Sequence, residues 1–250
     1  MSNYQRNTSL VICIFAVLVI GAVGIGLLSY YGTNTWNWNQ ATTDFSFEAE
    51  VGATNETVTL DIDIATGAVS ITFVDNESLL YHIEVEVQNT TVETDGAPTV
   101  TFVSNVIGLD YTAAGVNITL GSGVNYTIDV DVATGGLSVV LGPGAHIGDV
   151  SLDTTTGGIS LIMTDDVVLM GNASFDLTTV TGGINIVADY PTGIGGSIEC
   201  AVGVGAVDIT ATGWTQVTAN HYESSDYDTA SQTITIVAQT TTGGIDAIVT

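Results

Sequence analysis

The sequence predicts an all-β repeat domain preceded by one N-terminal transmembrane helix. Three observations predict it: short segments that alternate apolar and polar residues, a Thr-Gly-Gly triplet whose intact and degenerate copies recur about every 23 residues, and an uncharged apolar run near the N-terminus. The predicted organisation is a cytoplasmic tail at 1–9, the helix at 10–31, a polar spacer at 32–42 and an extracellular β-repeat domain at 43–250.

The composition excludes one class of partner. The 250 residues hold 27 Asp plus Glu against a Lys plus Arg total of 1, so the formal net charge is −26. A basic patch cannot be built from one cation, and nucleic acid is therefore excluded as a partner. Cys13 lies in the apolar run and cannot pair with Cys200, so we expect no disulfide framework.

The apolar run at 10–28 is long enough to cross a bilayer together with the residues that follow it. Arg6 precedes the run, and an aromatic group follows it: Tyr30, Tyr31, Trp36 and Trp38. Both features favour a single-pass protein in the cell membrane with its N-terminus inside and the bulk of the chain outside. The alternative is a cleaved secretory signal with small residues at 21–24.

The segment IDVDVATGGLSVVL at 128–141 defines the repeat. With the Thr of the triplet as position zero, apolar residues stand at −6, −4, −2, +3, +5 and +7 of the unit. The same template fits with its zero position at Thr66, Asn89, Ala113, Thr134, Thr156, Thr181, Val204 and Thr242. Each half-unit is therefore predicted to be a strand, and the glycines at +1 and +2 are predicted to adopt the positive φ that a corner needs.

Two architectures satisfy this pattern. One is a β-solenoid of about eight coils of ~23 residues, in which each triplet is a corner. The other is an antiparallel hairpin sandwich, in which each triplet is a tight turn. The near-constant spacing favours the solenoid. Alternating Phe45, Phe47, Ala49 and Val51 predict a strand that caps its first coil.

The segments VDVATGGLSVVL, LDTTTGGISLIM and FDLTTVTGGINIVA resemble those of the prokaryotic "putative adhesin" family of β-solenoid repeat proteins, whose function is unknown. The resemblance covers about residues 56 to 250. It implies a surface location and an adhesive or structural role, and it implies no catalytic residues.

The repeat is interrupted at 212–231, where an aromatic and acidic segment is inserted. Insertions in repeat proteins are often located on the binding face. The candidate binding residues are Trp214, His221, Tyr222, Asp226, Tyr227 and Asp228. The alternative is a loop that caps the last coil. We expect no cofactor and no metal site; bound Ca²⁺ is the alternative, although Asp226 and Asp228 fall short of a calcium-loop pattern.

We find no catalytic constellation. His82, His146 and His221 are scattered over different units, and nucleophile-elbow and phosphate-loop motifs are absent. We therefore expect that the protein is not an enzyme. Asp61 and Asp63 share one outward strand face, and stacked units would align such carboxylates into ladders that repel one another.

The expected function is that of a membrane-anchored, cell-surface structural or adhesive protein, with a homo-oligomer or filament as a further expectation. The alternative is a surface module that binds a ligand or cation through the 212–231 insertion. Export also makes N-glycosylation chemically accessible. The candidate acceptors are Asn55, Asn76, Asn89, Asn117, Asn125 and Asn172.

Overall fold

The alternating segments form strands throughout the part of the chain that the computed structural model describes, which is residues 41–52 and 57–250. Thr42–Thr250 form one compact unit, and its 14 strands belong to a single sheet. The predicted tail at 1–9, the helix at 10–31 and nearly all of the spacer at 32–42 lie outside the described residues. Within those residues, no helix combines the length and hydropathy that crossing a membrane requires.

The secondary structure is almost entirely β. The strands are β1 (Thr42–Glu50), β2 (Val58–Phe73), β3 (Leu79–Gln88), β4 (Thr101–Val103), β5 (Val106–Leu120), β6 (Tyr126–Leu141), β7 (His146–Met163), β8 (Val168–Leu169), β9 (Ala173–Thr181), β10 (Ile184–Ala188), β11 (Gly195–Ala211), β12 (Thr215–Thr218), β13 (His221–Glu223) and β14 (Thr233–Val249). The one described helix is α1 (Asn89–Asp95).

The repeat copies pair with one another in parallel and in register. Thr134 lies opposite Thr66 on one side and Thr156 on the other, Thr156 lies opposite Thr181, and Thr181 lies opposite Thr242. In space the copies follow the order β5, β2, β6, β7, the pair β9 and β10, β14 and β11. The antiparallel hairpin alternative is wrong for these copies, because the two halves of a copy pair with other copies rather than with each other.

Each copy is divided at its corner into a first arm before position zero and a second arm after it. Inward residues of both arms, such as Ile128 and Val130 before the corner and Val139 and Leu141 after it, are fully buried in one cluster. No second sheet exists among residues 42–50 and 58–249 to cover them. Both arms therefore contribute side chains to one core.

The first glycine of the triplet allows neighbouring copies to approach one another closely. Gly135 has φ 151°, and a Cβ added there would lie 1.5 Å from the carbonyl oxygen of Gly67 in the neighbouring copy. The second glycine is different: Gly136 lacks positive φ, and a Cβ on it would meet nothing within 4 Å. The prediction of positive φ is confirmed at +1 and wrong at +2, where Ala68 and Ala206 stand in other copies.

The prediction of eight consecutive coils is wrong in two respects. The copy centred on Asn89 does not join the parallel stack: β3 pairs antiparallel with β5, and the chain enters α1 at Asn89. Its +5 and +7 residues are Thr94 and Gly96, so the part of this copy after position zero has no run of alternating apolar residues to bury. In addition, chain order and spatial order differ at both ends, since β5 lies outside β2 and β14 lies between β10 and β11.

The stack is closed at one end by the predicted capping strand. β1 pairs antiparallel with β3, and Phe45, Phe47, Ala49 and Val51 pack against the buried cluster.

Inward threonines replace apolar residues at position −2 in three neighbouring copies. Among them, the Thr179 hydroxyl donates to the Gly157 carbonyl oxygen at 3.3 Å and the Thr240 hydroxyl donates to the Gly182 carbonyl oxygen at 3.2 Å. The corner carbonyls thus receive hydrogen bonds from inside the core.

Candidate interaction surfaces

The inserted segment extends the sheet. β12 and β13 form an antiparallel hairpin, and β13 pairs antiparallel with the first arm of β11, with Tyr222 opposite Ile198. Tyr222 packs against the buried cluster. The hairpin therefore covers the first arm of the last copy, which would otherwise be an open edge.

Trp214 is directed into the domain. Its ring meets the ring of Tyr190 edge-on, with the centroids 4.8 Å apart. Both rings lie over Gly196, where an added Cβ would come within 2.4 Å of the Trp214 ring. Burial raises the pKa of Tyr190 well above its usual range, and the Tyr190 hydroxyl donates to the Ser197 carbonyl oxygen at 3.4 Å. Trp214 thus anchors the insertion to the sheet.

Polar residues of the insertion form hydrogen bonds at its base. His221 Nε2 lies 3.0 Å from Ser197 Oγ and 3.3 Å from Glu223 Oε1. The Tyr227 hydroxyl lies 3.1 Å from Thr235 Oγ1.

Two further carboxylates complete the predicted set. Asp226 accepts a hydrogen bond from the Ser224 hydroxyl at 2.7 Å, and Asp228 is exposed. Of the six residues predicted to bind a ligand, Asp228 is the one most open to solvent. The aromatic side chains are directed towards their own domain, as the capping alternative expects.

The outward side of the first arms is acidic. The parallel register places four aspartates in one row across adjacent strands: Asp110, Asp63, Asp131 and Asp153. Asp61 and Asp129 form a second row beside it. Adjacent strands are about 4.8 Å apart, so the expected ladder of like charges is present.

The electrostatic consequence is seen in three carboxyl groups. Desolvation, followed by the charges of neighbouring aspartates, raises the pKa of Asp63 and of Asp131. Desolvation is also the main reason why the pKa of Asp153 is raised. In the part of the chain that the structure covers, no group of three or more His, Cys, Asp or Glu side chains has a geometry that could hold a metal ion.

The outward side of the second arms is different, and sequence analysis missed it. We name it the uncharged face and define it by the residues at +4 and +6 of β5, β2, β6, β7 and β10. These residues are Asn117, Thr119, Ser70, Thr72, Ser138, Val140, Ser160, Ile162, Asn185 and Val187. None carries a charge. Aligning the polar positions of the copies, in addition to the apolar ones, would have found this face.

The histidines do not converge. His82 lies near two carboxylates, 3.3 Å from Glu48 and 3.5 Å from Glu84, whereas His221 belongs to the hairpin. Cys200 is buried, and burial raises the pKa of its thiol to about 12. A buried thiol that stays protonated is a core residue rather than a nucleophile.

The glycosylation candidates differ in exposure. Asn76, Asn117 and Asn172 are exposed, whereas Asn89 and Asn125 are partly buried. Asn55 lies outside the described residues. Asn76 accepts hydrogen bonds from the Ser78 backbone N–H and hydroxyl. Each of these acceptors remains a prediction.

The second arm of β11 is the end of the stack that no other described residues cover. It pairs with β14, and the capping hairpin reaches only the first arm. Val204 at its corner is 69% exposed, and the inward-facing Val207 and Ile209 are only partly buried. Within residues 41–52 and 57–250, the strand therefore presents an unpaired backbone edge over a partly open core.

Comparisons with known proteins bear on the fold. No protein-family model matches the chain. No curated protein matches it either. Among solved structures, it is similar to a "putative cell adhesion protein" from Clostridium sporogenes, with 16% identity, a TM-score of 0.68, and coverage of 84% of this chain and 100% of that one. At this identity, the similarity establishes the fold alone.

Weaker similarities accompany it. A "putative adhesin" from Bacteroides fragilis is 8% identical with a TM-score of 0.33 and covers 83% of this chain and 97% of its own. A "putative lipid binding protein" from Parabacteroides distasonis is 7% identical with a TM-score of 0.26, and the coverages are 84% and 97%. TM-scores of this size do not establish a common fold. The chain is thus an all-β protein with the fold of the Clostridium sporogenes protein.

Proposed function

We propose that the protein is a membrane-anchored, cell-surface protein with an adhesive or structural role and no catalytic activity. In this proposal, residues 10–31 anchor the chain, and residues 43–250 project outside the cell as a β-solenoid-type repeat domain. The observation that carries the proposal is the in-register stacking of the copies, which aligns outward side chains into extended rows on two faces.

Extended rows of equivalent side chains are suited to binding a large partner over a broad surface. A side chain repeated on adjacent strands, about 4.8 Å apart, presents the same chemistry many times to a large partner. The chain also uses its one long insertion to cover its own edge, with Trp214 and Tyr222 packed inward. The fold shared with a protein described as "putative cell adhesion protein" supports the same role.

Self-assembly is the finer part of the proposal. In the part of the chain that the structure describes, the second arm of β11 ends the stack with an unpaired edge, and such edges pair with other strands unless they are blocked. Acidic outward residues would keep single molecules soluble, while extended faces would permit contacts between them.

Topology can be tested on intact cells. A membrane-impermeant maleimide should label Gln239→Cys, which replaces an exposed residue, and should not label Ser2→Cys. Labelling of Ser2→Cys alone would reverse the orientation, and labelling of neither variant before lysis would place the domain inside the cell. The native cysteines are the same in both variants.

Adhesion can be tested by expressing the full chain in a non-adherent strain and measuring attachment and cell clumping. The control is the same strain expressing Gly135→Ala, which we expect to destabilise the stack at its centre, assayed at a temperature above the Tm of that variant. Equal attachment of both strains and of the empty strain would refute the adhesive role.

A further inference from the structure

The uncharged face lies between two acidic borders. At one border, Glu84 and Glu86 of β3 lie beside β5 in the register. At the other border, Asp246 of β14 lies beside Asn185, and Asp208 of β11 follows it. In a chain of net charge −26, contact with another copy at most other places would bring carboxylates together. Contact at this face would not.

The face is also partly apolar. The +6 row carries Val140, Ile162 and Val187 on three neighbouring strands, and β14 continues it with Ile248, which is 50% exposed. The +2 positions of the five strands are occupied by Gly or Ala, and the +4 positions by Ser or Asn. Two sheets can pack face to face at about 10 Å.

Polar atoms on this side lack partners within the chain. Among the described residues, 4 buried side-chain polar atoms have no hydrogen-bond partner, and three of them belong to outward residues of second arms and their ends: Ser160 Oγ, Asn185 Nδ2 and Thr164 Oγ1. Ser160 and Asn185 are neighbours in the register. Neighbouring side chains already shield these atoms from solvent, so covering this face with another surface adds no further desolvation cost for them.

We propose that the uncharged face is the contact surface between two copies of this chain, packed sheet against sheet. Five strands about 4.8 Å apart and arms of about 20 Å give roughly 500 Å² per copy, or about 1,000 Å² in total. This area reaches the lower bound for specific interfaces, so the contact is weak between free molecules and stronger between copies held on one surface. The inference deepens the self-assembling part of the proposed function and names the partner.

The borders make the contact dependent on salt. A twofold axis parallel to the strands places the β3 border of one copy against the β14 and β11 border of the other. A twofold axis along the stack places each border of one copy against the same border of the other copy. Both arrangements bring carboxylates together at the rim. Raising the salt from about 0.01 M to about 1 M shortens the screening length from about 30 Å to about 3 Å, so association increases with salt.

Cross-linking of the full chain tests the proposal. The chain is produced in a host without N-glycosylation, purified in detergent micelles and treated with a bifunctional maleimide. Ser138→Cys lies on the uncharged face, and its matched control Gln239→Cys lies on the outward side of a first arm. We expect a cross-linked dimer for Ser138→Cys that increases several-fold with salt. We expect only the wild-type background for Gln239→Cys.

A second substitution separates contact at the face from other association. Val140→Asp, added to Ser138→Cys, places a charge in the +6 row and should lower the dimer yield by about tenfold or more, since like charges brought together across an interface repel each other. Val140→Thr should keep the dimer, because Thr72 and Thr119 occupy the same row. Circular dichroism checks that all variants are folded.

Three outcomes would overturn the proposal: equal cross-linking of the two cysteine variants, a yield that falls with salt, or a dimer that Val140→Asp leaves unchanged. Association through residues 10–31 would produce the last of these. The cross-linking uses purified chain and the adhesion assay uses cells, so failure of one is distinguishable from failure of the other.

Discussion

Gly135 and Gly136 are adjacent in the central corner of the stack, yet alanine should have opposite effects at the two positions. A Cβ at Gly135 would lie 1.5 Å from the Gly67 carbonyl oxygen, whereas ordinary contact begins near 3.4 Å. The two strands would have to separate by about 2 Å, a large part of their spacing of about 4.8 Å. The φ of 151° at Gly135 adds a conformational penalty.

The expected magnitude follows from these two terms. A side chain in this backbone region costs about 1–3 kcal/mol, and overpacking costs a further 1–3 kcal/mol or so. Gly135→Ala should therefore lower the free energy of unfolding by about 4 kcal/mol, and the Tm of a domain of this size should fall by about 8–16 °C. Gly136→Ala should leave Tm unchanged or raise it by about 1–4 °C, because alanine restricts the unfolded chain.

The assay is thermal unfolding of the purified chain followed by circular dichroism at the β signal. The two variants have the same composition, so hydrophobicity and mass cannot explain a difference between them. Equal Tm values for Gly135→Ala and Gly136→Ala would refute the close approach of neighbouring corners.

Three further substitutions test other parts of the structure. Asp131→Asn removes a charge from the middle of the carboxylate row. Folding raises the pKa of Asp131, so the folded state binds a proton more readily than the unfolded state. The free energy of unfolding therefore falls as the pH rises from about 4. The variant should raise Tm at pH 7 by about 1–3 °C in low salt and by less in high salt, and a lower Tm would contradict the repulsion. Thr154→Val should stabilise the folded domain by about 1 kcal/mol, because the Thr154 hydroxyl is buried without a hydrogen-bond partner. Thr179→Val should not stabilise it, since the Thr179 hydroxyl donates a hydrogen bond to the Gly157 carbonyl oxygen. A lower denaturant midpoint for Thr154→Val than for Thr179→Val would count against this explanation. Trp214→Ala should lower the free energy of unfolding by about 2–3 kcal/mol in denaturant titrations, because the ring packs against Tyr190 and the buried cluster. A change near zero would show that Trp214 does not anchor the hairpin.

The local pattern predicted the strands well because it depends on neighbours in the sequence. Alternation identified which residues of Ile128–Leu141 face inward, and those positions are buried. It also predicted that Phe45 and Phe47 belong to a capping strand. These inferences need only the period of two that a strand imposes on its side chains.

The template failed where only half of its pattern was present. The copy at Asn89 has suitable apolar spacing before its zero position, but its +5 and +7 residues are Thr94 and Gly96 rather than apolar side chains. Glycine at +1 does not decide the outcome, because Ala114 occupies that position in β5, which joins the stack. Without an apolar second arm the chain enters α1, and β3 pairs antiparallel.

The insertion shows a second limit. Composition marks Trp214, Tyr222 and Tyr227 as candidates for recognition, since aromatic residues serve binding and packing equally well. The direction of each side chain depends on which strand the insertion joins. Because β13 pairs with β11, these aromatic groups lie against their own domain.

The sequence by itself determined the strand content, the inward faces, the corner positions and the acidic character of the chain, because each follows from residue type and local spacing. Only the tertiary structure decided the order of the copies, the separation of an acidic side from an uncharged one, and the role of the insertion as a cap. The reason is that parallel pairing joins residues far apart in the chain, and position 134 meets positions 66 and 156 only through the register of the sheet.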